Sequence, residues 1–161
     1  MNTVSDTKAQ QVAYLLKAAH WQPPEPPALL DELSAEGALH SRQGVLWVDI
    51  TARDPSATAS LLTGRFGFHP LAVEDALSPY ERPALQRYDG VLFLAAHELQ
   101  QQGGEEVYRE VGFFLGKHLL VTVHTEPIPL IDHWFGRWTA QPERVGRTPA
   151  HLLHLLLDAI V

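Results

Sequence analysis

The sequence predicts an α/β fold: a mixed, partly antiparallel sheet sandwiched between helices. Three observations predict it. Residues 45–50 (VLWVDI) form an apolar run of strand length and composition, followed by two proline-opened helical segments. Residues 108–115 and 119–124 flank Gly116-Lys117-His118, a hairpin signal with glycine in the turn. Leu130, Ile131, Trp134, Phe135 and Trp138 then recur at helical spacing. Strands and helices in this order pack as layers, with helices over both faces of the sheet.

The elements follow in order. Residues 1–11 are polar and expected as a flexible tail. Residues 12–20 (VAYLLKAAH) suit either a short helix or a first strand. Residues 22–27 hold four prolines and read as an extended connector. LLDELSAEGAL predicts a helix from about Ala28 to Glu36, with Gly37 as its C-cap. Asp54 before Pro55 is a helix start: a side-chain oxygen for free amides, then a residue with no amide to satisfy. That helix is expected to run to about Phe66. His69-Pro70 opens a second, PLAVEDAL, which ends before Pro79. Residues 88–99 read as a strand and QQQGGEE as a polar turn. Thr148-Pro149 caps a last helix, AHLLHLLLDAIV, apolar round much of its circumference and without a stop signal. The expectation is one domain over residues 12–147, with residues 148–161 as the start of a longer helix.

Composition narrows the function. The 161 residues, 45% of them hydrophobic, suffice for one ordinary core. Nineteen acidic against 12 basic residues leave a net charge of -7, which argues against nucleic acid as a partner. Without cysteine there is no disulfide framework and no thiolate metal site. The start lacks the basic and apolar regions of a signal peptide, and no apolar run approaches the roughly 20 residues that cross a bilayer. A soluble, cytoplasmic chain is expected.

Few residues offer chemistry. Gly103-Gly104 lacks the Lys-Ser or Lys-Thr of a phosphate loop, and neither G-x-S-x-G nor H-E-x-x-H occurs. Glu74 and Asp75 are adjacent carboxylates on one short helix. Neighbouring helical positions point about 100° apart, so the pair is no single chelate, though each could meet a different partner. Taken alone, such a pair is most often a solvated helix face. His151, His154 and Asp158 share a helical face and could hold Zn²⁺ or Co²⁺, or could simply be a polar stripe. Asp49 is expected to close its strand and cap the following loop. Arg82-Pro83 and Tyr88-Asp89-Gly90 read as turn and strand-entry features.

Several of these blocks together resemble the CorA-type magnesium and cobalt transporters. The run from Phe68 to Leu77 (FHPLAVEDAL) carries the resemblance. Arg82-Pro83, the run from Tyr88 to Leu94, the upstream Leu46-Trp47-Val48-Asp49 and the downstream run from Leu153 to Val161 match in order and spacing. The resemblance covers the chain from about Val12 onward. It implies a CorA soluble-domain-like fold, with residues 12–20 as a strand. It implies a non-enzymatic domain on the cytosolic side of a membrane-bound homopentamer, joined to the membrane through later transmembrane helices. It also implies Mg²⁺ (or Co²⁺) bound between subunits, favouring the closed channel. On that pattern Asp75 matches the sensing residue, and Glu74 and Asp158 match further acidic residues. A zinc-transporting relative is one alternative. A free-standing metal-dependent hydrolase using His151, His154 and Asp158 is another, from a different class.

Overall fold

The computed structural model describes residues 12–78 and 84–160. The expected flexible tail, Arg82-Pro83 and Val161 lie outside the described residues. Seven strands form one sheet in the order β2-β1-β3-β7-β6-β5-β4. They are β1 (Tyr14–Trp21), β2 (Ala28–Leu30), β3 (Val45–Ala52), β4 (Ala84–Tyr88), β5 (Val91–Gln102), β6 (Glu105–Leu115) and β7 (Leu119–His124). Only β3 and β7 run parallel, with Asp49 opposite Thr122; the other neighbours are antiparallel. The sheet is therefore mixed and partly antiparallel, as the sequence predicts.

Side-chain alternation sorts the core into two layers. Leu46, Val48 and Ile50 of β3 face one side, and Val45 and Trp47 face the other. On the first face lie α1 (Glu32–Ala38), α2 (Pro55–Ser60), a π-helical turn over Leu61–Arg65, and α3 (Pro70–Leu77). On the second lie α4 (Pro129–Ala140), the short α5 (Pro142–Val145) and α6 (Pro149–Ile160). Every residue of β3 is buried, because both of its faces are covered. The aromatic stripe is core: Ile131, Phe135 and Trp138 are buried, and Trp47 packs edge-on to Phe135 at 5.1 Å.

Several local expectations change. The helix predicted from Ala28 begins at Glu32 instead, because the Asp31 side chain accepts the Ser34 amide at 2.8 Å and Ala28–Leu30 pairs as a strand on β1. Gly37 lies inside that helix, and Leu39 follows as its C-cap. The helix after Asp54 does start there, its carboxylate accepting the Ser56 amide at 3.0 Å, but it widens into the π turn that the Phe66 amide closes on the Leu61 carbonyl. Tyr88 ends a separate strand, β4; the Asp89-Gly90 turn, with both residues at positive φ, then leads into β5. Most of QQQGGEE is strand, with Gly103-Gly104 alone making the turn. Residues 12–20 resolve to strand, since β1 pairs with β3 from Tyr14 to Trp21.

Asp49 departs from expectation as well. It sits mid-strand in β3 and caps no loop. Its carboxylate accepts the Thr122 hydroxyl at 2.6 Å and faces His124 Nε2 at 2.8 Å. The Trp47 indole N–H donates in turn to Thr122 at 3.2 Å. Parallel pairing of β3 with β7 brings these four residues together beneath α4.

Candidate functional site

The acidic pair rides on α3, and the fold explains how α3 is held. His69 precedes the helix as its N-cap: Nδ1 accepts the Leu71 amide at 3.1 Å while the ring stacks on Tyr88 at 4.6 Å. Pro70 occupies the first turn, where no amide partner is missing. Ala72, Val73 and Ala76 face the sheet, which leaves Glu74 exposed and Asp75 half-buried. The two carboxylates therefore point apart, as their adjacency requires. Asp75 is engaged rather than free.

Close approach of α3 to the sheet depends on Gly112. A Cβ there would stand 3.2 Å from the Ala76 Cβ and 3.2 Å from the Phe93 ring. Gly112→Val is expected to push α3 off the sheet and cost about 1–3 kcal/mol, the usual toll of overpacking. Urea unfolding checks the cost, and Asp75 amide shifts check the displacement.

Beyond the C-terminal end of α3 lies a cleft of about 800 Å³. Ala76, Leu77 and Ser78 form one wall, and His97, Tyr108 and Glu110 of the β5–β6 ribbon form another. Thr125 and Glu126, just after β7, close a third side with Arg109. Arg109 ties this rim together. Its Nη1 donates to the Pro127 carbonyl at 2.9 Å, and its Nε lies 3.3 Å from the Glu126 carboxylate. The ribbon projects: β4 pairing ends at Ala84↔Ala95 and β7 pairing at Gly112↔Val123, so the outer halves of β5 and β6 pair only with each other among the described residues.

The other candidates lie elsewhere. Asp158 is on α6, whose Leu152, Leu153, Leu156 and Ile160 pack on the opposite sheet face from α3. The sheet thus stands between Asp158 and the Glu74–Asp75 pair within one chain. His151 and His154 are exposed, and His154 Nδ1 lies 3.7 Å from Asp158 at 72% and 74% exposure. No group of three His, Asp or Glu side chains suited to a metal ion occurs among the described residues, so this trio does not converge as the hydrolase reading requires. The carboxylates of α3 do suit a hard cation such as Mg²⁺, which keeps much of its water and needs only one or two of them.

A family model described as CorA-like Mg2+ transporter protein matches residues 42–161. The chain belongs to the CorA-like Mg²⁺ transporter family. Among curated relatives, YfjQ of Bacillus subtilis (strain 168), whose name assigns it to metal ion transport, is 36% identical over 115 residues. That match takes in 71% of this chain but 35% of YfjQ, so the chain spans about a third of that relative. Among solved structures, full-length CmaX superposes with a TM-score of 0.75 at 13% identity, over 92% of this chain and 45% of CmaX. The soluble domain of CorA from Methanocaldococcus jannaschii gives a TM-score of 0.68 at 18% identity, over 91% of this chain and 55% of that one. These two structures share the fold of this chain. No helix among the described residues is long and apolar enough to cross a membrane.

Sequence reasoning missed one constellation, the buried Asp49–His124 pair. A paired signal was available: an acidic residue inside an apolar strand, and a histidine ending another strand of similar composition. Which two strands become neighbours is not written locally, so the pair stayed hidden.

Proposed function

We infer that the chain is the cation-sensing and gating domain of a CorA-type Mg²⁺/Co²⁺ transport channel, not an enzyme. Asp75 is the main carboxylate of the sensing site, with Glu74 and Asp158 as further acidic residues near a second position. The ion, Mg²⁺ in the first place, is held between subunits of a homopentamer and favours its closed arrangement. The domain works on the cytoplasmic face of a membrane that other segments of the full-length protein span.

One observation supports this reading above the rest. The Glu74–Asp75 pair and Asp158 sit in opposite helical layers, so no single chain can gather them round one ion. Carboxylates so placed can share one cation only across a subunit boundary. The cleft beside the end of α3 offers a neighbouring subunit a surface next to Asp75. Acidic groups meeting there repel one another when no ion is bound, and a divalent cation relieves that repulsion. An ion that binds the closed ring better than the open one shifts the population towards closure, by as much as its affinities differ. Water-mediated contacts keep the affinity modest, which suits the sensing of an abundant ion.

The test uses the full-length protein. Asp75→Ala is expected to raise several-fold the Mg²⁺ concentration needed to close the channel, read as ion flux against internal Mg²⁺. An unchanged closing curve sinks the assignment of Asp75 as the sensor.

A further inference from the structure

We propose that His124 is a buried imidazolium whose proton positions the Thr125–Pro127 segment, so that the wall this segment gives to the cleft beside α3 responds to pH. The inference concerns the chain itself and does not need the cation site to be right.

The hydrogen-bond geometry carries it. Nδ1 of His124 lies 2.6 Å from the Glu126 carbonyl oxygen, and Nε2 lies 2.8 Å from Asp49 Oδ1. A carbonyl can only accept. The Asp49 oxygen already takes the Thr122 hydroxyl, and a carboxylate also accepts. Both ring nitrogens therefore face acceptors, and only the doubly protonated ring satisfies both. The two side chains are 3% and 4% exposed, so water cannot supply the missing donor. This burial also closes the group to substrates, which rules out a catalytic triad built on Thr122.

Charge around the ring agrees. Burial works against the proton, but the Asp49 hydrogen bond and charge outweigh it, aided by the Glu126 carbonyl and by Asp132, and the pKa of His124 is raised. Lys17 of β1 stands opposite Asp49 in register, but its amine is bound to Asp132 on α4 and lies over the Phe135 ring. On β6, Arg109 is bound to Glu126 and Pro127, and the buried Glu98 of β5 lies across from it. On α6, His151, His154 and Asp158 are exposed.

Loss of the proton has a defined consequence. The neutral ring keeps one N–H. Keeping it on Nδ1 would set a lone pair against the Asp49 carboxylate, which is locked inside β3. Keeping it on Nε2 preserves the Asp49 bond and sets a lone pair against the Glu126 carbonyl instead. Thr125, Glu126 and Pro127 are exposed and can move, so the segment yields and the strand does not. Glu126 and Pro127 also hold Arg109, so the shift is passed to the ribbon side of the cleft.

Imidazole nitrogen NMR of the chain, recorded against pH, tests this. His124 should show two protonated nitrogens at a pH above the ordinary histidine value of about 6.5. As it titrates, the neutral form should carry its hydrogen on Nε2, and the Thr125 and Glu126 amides should shift with the same midpoint. Asp49→Asn should bring that midpoint down, with the same amides following it. A single protonated nitrogen at a pH below the ordinary histidine value of about 6.5 overturns the proposal. So do Thr125 and Glu126 amides that stay in place as His124 titrates, in the wild type or in Asp49→Asn.

Discussion

Asp49→Ala is expected to destabilise the fold by about 3–5 kcal/mol, the cost of breaking a buried ion pair from one side. The substitution strips His124 of its counter-charge, leaves the Thr122 hydroxyl without its acceptor and opens a gap under α4. The loss is tied to pH. Because the fold raises the pKa of His124, the pair's contribution is complete below the ordinary histidine value of about 6.5. It fades as pH rises through the folded value, where the ring loses its charge in both states. Wild type should therefore lead the variant by most in mildly acidic solution, and the gap should narrow on the alkaline side. Urea unfolding of both proteins at a series of pH values measures the gap directly. A gap that holds constant across the titration range would mean that His124 is neutral in the folded chain.

Trp138→Ala is the second large effect, with an expected loss of about 3–5 kcal/mol, as for other fully buried aromatic residues cut back to alanine. The ring is completely buried and touches two others, with Trp47 at 5.8 Å and Phe135 at 6.4 Å between centroids. Its indole N–H also donates to the Gly146 carbonyl at 2.9 Å. That bond joins α4 to the turn that leads into α6. The variant thus opens a cavity and leaves a buried carbonyl unpaired. For a chain of this size the melting temperature should fall by roughly 10 °C. Trp138→Phe keeps most of the apolar volume and loses only the hydrogen bond and the second ring, so it should lie between the two. If both variants melt alike, the hydrogen bond and not the packed volume would account for the loss.

The two residues act on the same side of the sheet but by different means. Trp138 stabilises through area removed from water and close packing, which depend little on pH. Asp49 stabilises through charge, and only while its partner is charged. Measuring both variants over the same pH range separates these contributions, because the Trp138 loss should stay level where the Asp49 loss falls.

Local chemistry made much of this protein readable from its sequence. Asp54-Pro55 and His69-Pro70 marked helix starts because a cap and a proline satisfy the free amides of a first turn, whatever the tertiary context. The hairpin at Gly116-Lys117-His118 and the stripe from Leu130 to Trp138 were likewise written in turn chemistry and periodicity. The block from Phe68 to Leu77 pointed to the family, and adjacency alone required Glu74 and Asp75 to point apart. Other features depended on neighbours distant in sequence. Ala28–Leu30 is strand because β1 offers it an edge, although its residues suit a helix equally well. Residues 12–20 were ambiguous from their own pattern, and pairing with β3 along their length made them strand. Only the parallel pairing of β3 with β7 turned an acidic residue and a histidine 75 positions apart into a buried pair. Only the layering of helices over the sheet placed Asp158 on the far side from Asp75. The physical reason is the same throughout: caps, turns and periodicity act within a few residues, whereas burial and strand pairing join groups that the chain holds far apart.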